Sequence, residues 1–276
     1  MKNTDYIKEV EAGIKRLHEG LGPLSGIDPA RCIAHLENGT GDPWACKSTL
    51  ERFCIINSML AWFESRDLTA AKHWASNAAR LRRGMYQERS TGTYYTPVYL
   101  MPLISDDSHL IEWFSRFDLP FSVTRETQMG RRINNPNMDE YLHYNTWLAL
   151  RGDWEALRER SCAFLAAVPA RHAAFEADHR FHIALADADT QGMEAALAEL
   201  VEPKLMRRRS AREGANTRYF ICTYAVVYAK IARRHGYHVS VDSPWVPEEW
   251  LSIAPLPRYE DAFGFMASLD DHLPLE

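Results

Sequence analysis

The sequence predicts an all-α protein of stacked antiparallel helical hairpins, with a proline- and aromatic-rich C-terminal tail packed over them. Between Asp139 and Glu202, four helix-sized segments alternate with very short turns. Trp154, Leu157, Ser161, Phe164, Leu165 and Val168 share one face of a 3.6-residue helix. Ala174, Ala177, Phe181, Ala184, Leu185 and Ala188 repeat that spacing in the next segment. The connections Arg151-Gly152-Asp153 and Asp187-Ala188-Asp189-Thr190 are too short for anything but antiparallel neighbours, so a helical hairpin is used twice.

In chain order, Thr4 or Asp5 caps a first helix with Tyr6, Ile7, Val10, Ile14 and Leu17 at helical spacing, ending at Gly20 and Gly22. Pro29 opens a short second helix with Asp28 as its cap. Asn38 to Asp42 reads as a loop. Phe53, Ile56, Leu60 and Phe63 then mark a helix ending near Ser65, and Arg66-Asp67 leads straight into another with Ala71, Trp74, Ala78, Leu81 and Met85. This is a third hairpin of the same type. Glu88 to Pro102, with Ser90-Thr91-Gly92-Thr93-Tyr94-Tyr95, breaks the pattern as a loop or short helix. Ser105 or Asp106 caps a helix carrying Leu110, Ile111, Trp113, Phe114 and Phe117.

Residues 131–137, rich in turn formers, are read as a loop and as the best candidate for an internal boundary; the chain as a whole, 1–276, is otherwise expected to be one helical domain. After Pro203 a basic stretch leads into a buried helix from about Tyr219 to Arg234, stopped by Gly236. His238 to Val241 reads as a short extended piece. The tail alternates prolines with Trp245, Trp250, Tyr259, Phe263 and Phe265, too apolar to be free, and is expected to close the open end of the stack.

Composition is ordinary for a globular protein, with 46% hydrophobic and 25% charged residues. No apolar run approaches the roughly 20 residues that span a bilayer, and the N-terminus lacks an apolar signal core, so the expected location is cytoplasmic. Five cysteines, widely spaced and without C-x-x-C pairs, read as reduced, packed thiols. Charge runs in blocks: 12 acids against 5 bases over 139–202, 1 against 9 over 203–234, and 8 against 1 over 235–276.

Two Glu-x-x-His pairs, Glu140/His143 and Glu176/His179, stand one hairpin apart, the pattern that di-iron bundles take from two of their helices. The hairpin repeat itself accounts for the shared register, and no metal and no cofactor are assigned. Arg207 to Arg209 with Arg212 reads as solvated cations near a helix C-terminus rather than a phosphate patch, so no nucleic-acid partner is expected. Motifs for nucleophilic or phosphoryl chemistry are absent from the sequence, and no enzymatic activity is expected.

Two resemblances add to this. Gly152-Asp153-Trp154-Glu155-Ala156-Leu157 followed by Ala163, Leu165 and Pro169 resembles the second half of a tetratricopeptide repeat, whose first half is not matched; it implies a superhelix with a concave, polypeptide-binding surface. Pro102-Leu103-Ile104-Ser105-Asp106, Asp178-His179-Arg180-Phe181, Ala184-Leu185-Ala186-Asp187, Pro203-Lys204, the block from Tyr219 through Leu251, and Tyr259 to Met266 resemble the immunity 49 family of polymorphic-toxin immunity proteins. That resemblance implies a helical cytoplasmic protein that neutralises one cognate toxin by covering its active site, with no catalytic residues. The partner-binding residues expected on it are Glu140, Glu176, Asp178, Asp187 and Asp189, with a basic toxin as partner. A general helical-repeat adaptor is the alternative, and a metal-dependent enzyme stands behind it.

Overall fold

A computed structural model describes residues 3–23, 25–88, 95–117 and 128–269. Fourteen α-helices lie among them: α1 (Asn3–Leu21), α2 (Pro29–Glu37), α3 (Pro43–Phe63), α4 (Leu68–Glu88), α5 (Leu100–Ser105), α6 (Ser108–Arg116), α7 (Gln128–Ile133), α8 (Asp139–Arg151), α9 (Trp154–Ala166), α10 (Glu176–Ala186), α11 (Thr190–Leu200), α12 (Pro203–Arg209), α13 (Thr223–Arg234) and α14 (Glu248–Leu251). No strand forms among the described residues, so the all-α class holds. Of the loop or short helix expected from Glu88 to Pro102, residues 89–94 lie outside the described residues, and Thr96–Tyr99 forms a short 3-10 helix that runs into α5.

Two compact units result. One takes residues 93–100 and 115–253; the other takes 2–92, 101–114 and 254–276. Residues 131–137 fall inside the first unit, and α7 extends helix into what was expected to be loop as far as Ile133.

The second unit is built on the α3–α4 hairpin. Asp42 caps α3 by accepting from Trp44 N at 3.0 Å, with Pro43 supplying the fixed φ of the first turn. Buried Ala71, Ala75, Ala78 and Ala79 let α4 approach α3 closely, and Ser58 Oγ donates to Ala71 O at 2.8 Å across the seam. At the rim Arg82 grips Glu51 with two hydrogen bonds of 2.8 and 2.6 Å.

One turn recurs. Arg66 (φ 55°), Asp106 (φ 58°), Gly152 (φ 82°) and Ala188 (φ 57°) each take the left-handed conformation that ends a helix, and each is followed by an aspartate. Asp67 accepts from Ala70 N at 2.9 Å, Asp107 from His109 N at 3.1 Å and Asp189 from Gly192 N at 3.0 Å, so the aspartate starts the next helix. Asp153 keeps the place but binds Arg151 instead, at 2.7 Å. The cap of α6 is therefore Asp107; Ser105 and Asp106, the expected caps, are buried inside the turn.

In the first unit α8–α9 and α10–α11 form the two consecutive hairpins, with α9 and α8 against α10 and α13 against α11 and α8. The α13 helix is buried along its length from Thr223 to Ala232 but starts at Thr223, since Thr217 to Phe220 forms a turn instead. His238 to Val241 is irregular, tied by Arg233 Nε to Val239 O at 3.0 Å and by Ser240 N to Glu194 Oε1 at 2.8 Å. Trp245 and Trp250 of the tail are buried in this unit; Phe263 and Met266 are buried in the other.

Candidate functional site

The five acids expected to face a partner part company in the structure. Asp178, on the inner face of α10, is wholly buried. Arg209 donates to both its oxygens, at 2.7 and 2.8 Å, and Tyr228 OH donates to Oδ1 at 2.7 Å. The guanidinium lies over the rings of Tyr224 and Phe175, 4.2 and 5.0 Å from their centroids. Burial raises the Asp178 carboxyl while Arg209 and Tyr228 oppose it; burial also works against the Arg209 charge, but Asp178 outweighs it and holds the guanidinium protonated. Asp178 is thus an internal brace joining α10, α12 and α13. The expectation that it contacts a partner is corrected, as is the reading of Arg209 as solvated; only Arg207 and Arg208 of that run are exposed.

Glu140 is also corrected. It is 9% exposed and accepts from Arg132 Nε at 2.8 Å, which clasps α7 to α8. The other three reach the surface. Glu176 pairs with Arg180 at 3.6 Å, and the same arginine holds Glu199 of α11 at 2.6 Å. Asp187, at the end of α10, accepts from Arg158 of α9 at 2.7 Å. Asp189 caps α11. Glu176 and Asp187 sit eleven residues apart on or beside one helix, about 16 Å at 1.5 Å per residue, so they mark opposite ends of the hairpin rather than a single patch.

Two further acids join the Asp187 end. Glu155 and Glu159 are exposed on α9, one turn apart and flanking Arg158. Sequence reasoning passed over them, although they lie outside the apolar face formed by Leu157, Ser161 and Phe164, and inverting that face would have found them.

The histidines point inward. His143 stacks on Tyr99 with 5.1 Å between centroids, and His179 on Phe164 with 3.8 Å. His182 packs edge-on to Tyr228 at 5.0 Å. Burial lowers the pKa of His143 and His182 to about 3 and holds His179 well below its ordinary value, so all three are neutral. The glutamates of the Glu-x-x-His pairs are held by arginines, Glu140 by Arg132 and Glu176 by Arg180. Among the described residues no group of three or more His, Cys, Asp and Glu is placed to hold a metal.

The matched sequence coincides with this unit. Residues 125–250 match the family model described as immunity protein 49. This segment belongs to the immunity protein 49 family. The resemblance read from α10 through Trp250 falls within the matched immunity protein 49 segment, whereas Leu251, Pro102 to Asp106 and Tyr259 to Met266 fall outside it. No curated protein and no solved structure matches the chain. Among the described residues, no helix is long and apolar enough to cross a membrane.

Proposed function

We propose that this chain binds one cognate bacterial toxin in the cytoplasm of the producing cell and neutralises it by covering the toxin's active site. The observation that carries the reading is the immunity protein 49 match over residues 125–250. The cytoplasmic assignment is supported by cysteines that form no disulfide among the described residues, and by burial that pushes the Cys222 thiol up to about 12, leaving it an unreactive packed group. We assign the chain no reaction of its own.

The toxin-facing surface we favour is the exposed acidic end of the hairpins, Glu155, Glu159, Asp187 and Asp189, with Glu176 at the far end of α10. Such a surface suits a basic toxin, such as a nuclease. Exposed charge of this kind speeds encounter and rejects wrong partners more than it sets the final affinity.

The test is to co-express the toxin domain encoded beside this chain's gene and score survival, then measure association of the purified pair at two salt concentrations. Rescue, a co-purifying complex, and an association rate reduced at least ten-fold by Glu155→Lys with Asp187→Lys are expected. Failure to rescue and to form a complex would overturn the function. Rescue with an unchanged association rate would move the interface elsewhere.

A further inference from the structure

Within the second unit, residues 254–269 run as a strap along one face of α4. Lys72 Nζ donates to Ala254 O, and His73 Nδ1 accepts from Glu260 N at 3.2 Å. Asn77 Nδ2 donates to Glu260 O at 2.9 Å while its Oδ1 accepts from Ala262 N at 3.0 Å. Arg80 pairs with the Asp261 carboxylate and reaches Met266 O at 3.0 Å; Arg83 reaches Leu269 O at 3.3 Å.

Asn77 is the centre of this arrangement. It is 2% exposed, its remaining amide hydrogen goes to His73 O at 2.8 Å, and both amide hydrogens and the carbonyl oxygen are thus engaged. By clasping the carbonyl before Asp261 and the N–H after it, Asn77 reads main chain and is indifferent to side chains. Arg80 reads the side chain between. Arg80 and Arg83 bring positive charge to the face, while the Lys72 charge is matched by the buried Asp106 carboxylate at 2.8 Å; the strap is acidic at Glu260-Asp261, where it meets Arg80. Around Glu260 to Ala262 the guest needs neither helix nor strand, because side chains of α4 take its backbone groups, and Gly264–Leu269 then closes as a short 3-10 helix. A pocket of about 330 Å³ opens beside Asp261, bordered by Arg83, Asp107, His109 and Leu110. Ser252 to Pro255, where the strap begins, is exposed.

We propose that this face of α4 is a binding site for an extended acidic segment of a partner polypeptide, and that residues 254–269 are its built-in occupant. The site lies outside residues 125–250, so it stands or falls independently of the toxin-binding surface proposed above. A tethered strap competes at an effective concentration on the order of millimolar, which keeps the face closed to weak ligands.

To test this, a protease site is inserted after Ile253 and a labelled peptide of residues 256–266 is added to the full chain before and after cutting. Before cutting, no binding is expected at micromolar peptide. After cutting, the peptide should replace the strap with an apparent Kd at least a hundred-fold lower, with helical circular dichroism retained. A peptide carrying Asp261→Asn should bind at least ten-fold more weakly, and a cut Asn77→Ala chain should bind neither peptide. A strap that stays and never exchanges, equal binding of the two peptides, or loss of helix on release would each overturn the proposal by making the strap a permanent part of the fold. In the uncut chain, Asp261→Asn should speed hydrogen exchange at Glu260 and Ala262 at least ten-fold without changing α3; unchanged exchange would also count against it.

Discussion

His182 sits on α10 with its ring wholly buried between Phe181 and Tyr228, and burial lowers its pKa from 6.5 to about 3. Because the folded value lies below the unfolded one, acid favours the unfolded chain: it takes up a proton near pH 6.5, which the folded chain refuses until about pH 3. Stability is therefore complete above about pH 6.5 and falls by about 1.4 kcal/mol per pH unit below it for each such histidine. At pH 5 the loss is about 2 kcal/mol for His182 and about 4 kcal/mol with His143, which behaves alike, a large part of the 5–15 kcal/mol that typically holds a domain together. Both ring nitrogens of His182 lack a hydrogen-bond partner among the described residues, so His182→Leu should cost less than about 1 kcal/mol at pH 7.5. The assay is native-state hydrogen exchange on peptides from α10, which reports the opening of this unit alone, at pH 7.5 and pH 5 after correction for intrinsic rates. Wild type should lose about 2 kcal/mol more than His182→Leu between the two. Equal losses would refute the reasoning.

Three further outcomes are expected. Asp178→Ala strands the buried Arg209 charge and should lower stability by roughly 3–5 kcal/mol in a urea titration, whereas Asp178→Leu combined with Arg209→Met should recover most of it. Asp189→Ala removes the cap of α11 and should cost about 1 kcal/mol, read as a lower midpoint in the same titration. Ala188→Gly relieves a left-handed alanine and should raise the melting temperature, by a stabilisation of up to about 1 kcal/mol; a fall would mean that the methyl group is a packing contact.

Local rules carried the hairpins. The spacing of Leu157, Ser161 and Phe164, and of Ala177, Phe181 and Leu185, names residues that are buried, and Asp28 caps α2 as its place before Pro29 predicts. The turn at Asp106-Asp107 escaped notice because two adjacent acids look interchangeable, and only backbone geometry separates the left-handed residue from the cap. Asp178 was misplaced for a different reason. An acid amid other acids reads as surface until its partner is known, and Arg209 lies 31 residues away inside a run of arginines that reads as solvated. The same limit governs the tail: its apolar content predicts packing, but which helix face receives it depends on pairs such as Asn77 and Glu260, separated by 183 residues.

The strap also bears on the order in which the molecule is made. Residues 2–92 and 101–114 leave the ribosome well before residues 254–269, which complete their unit. Until that last stretch emerges, Lys72, Asn77 and Arg80 have no main chain or carboxylate from it to bind. The immunity 49 segment, contained in residues 115–253, is by then already synthesised. Folding during translation should thus finish in reverse of synthesis, with the unit begun first closing last, and the nascent chain spends that interval with Asn77 and Arg80 of α4 not yet covered by the strap.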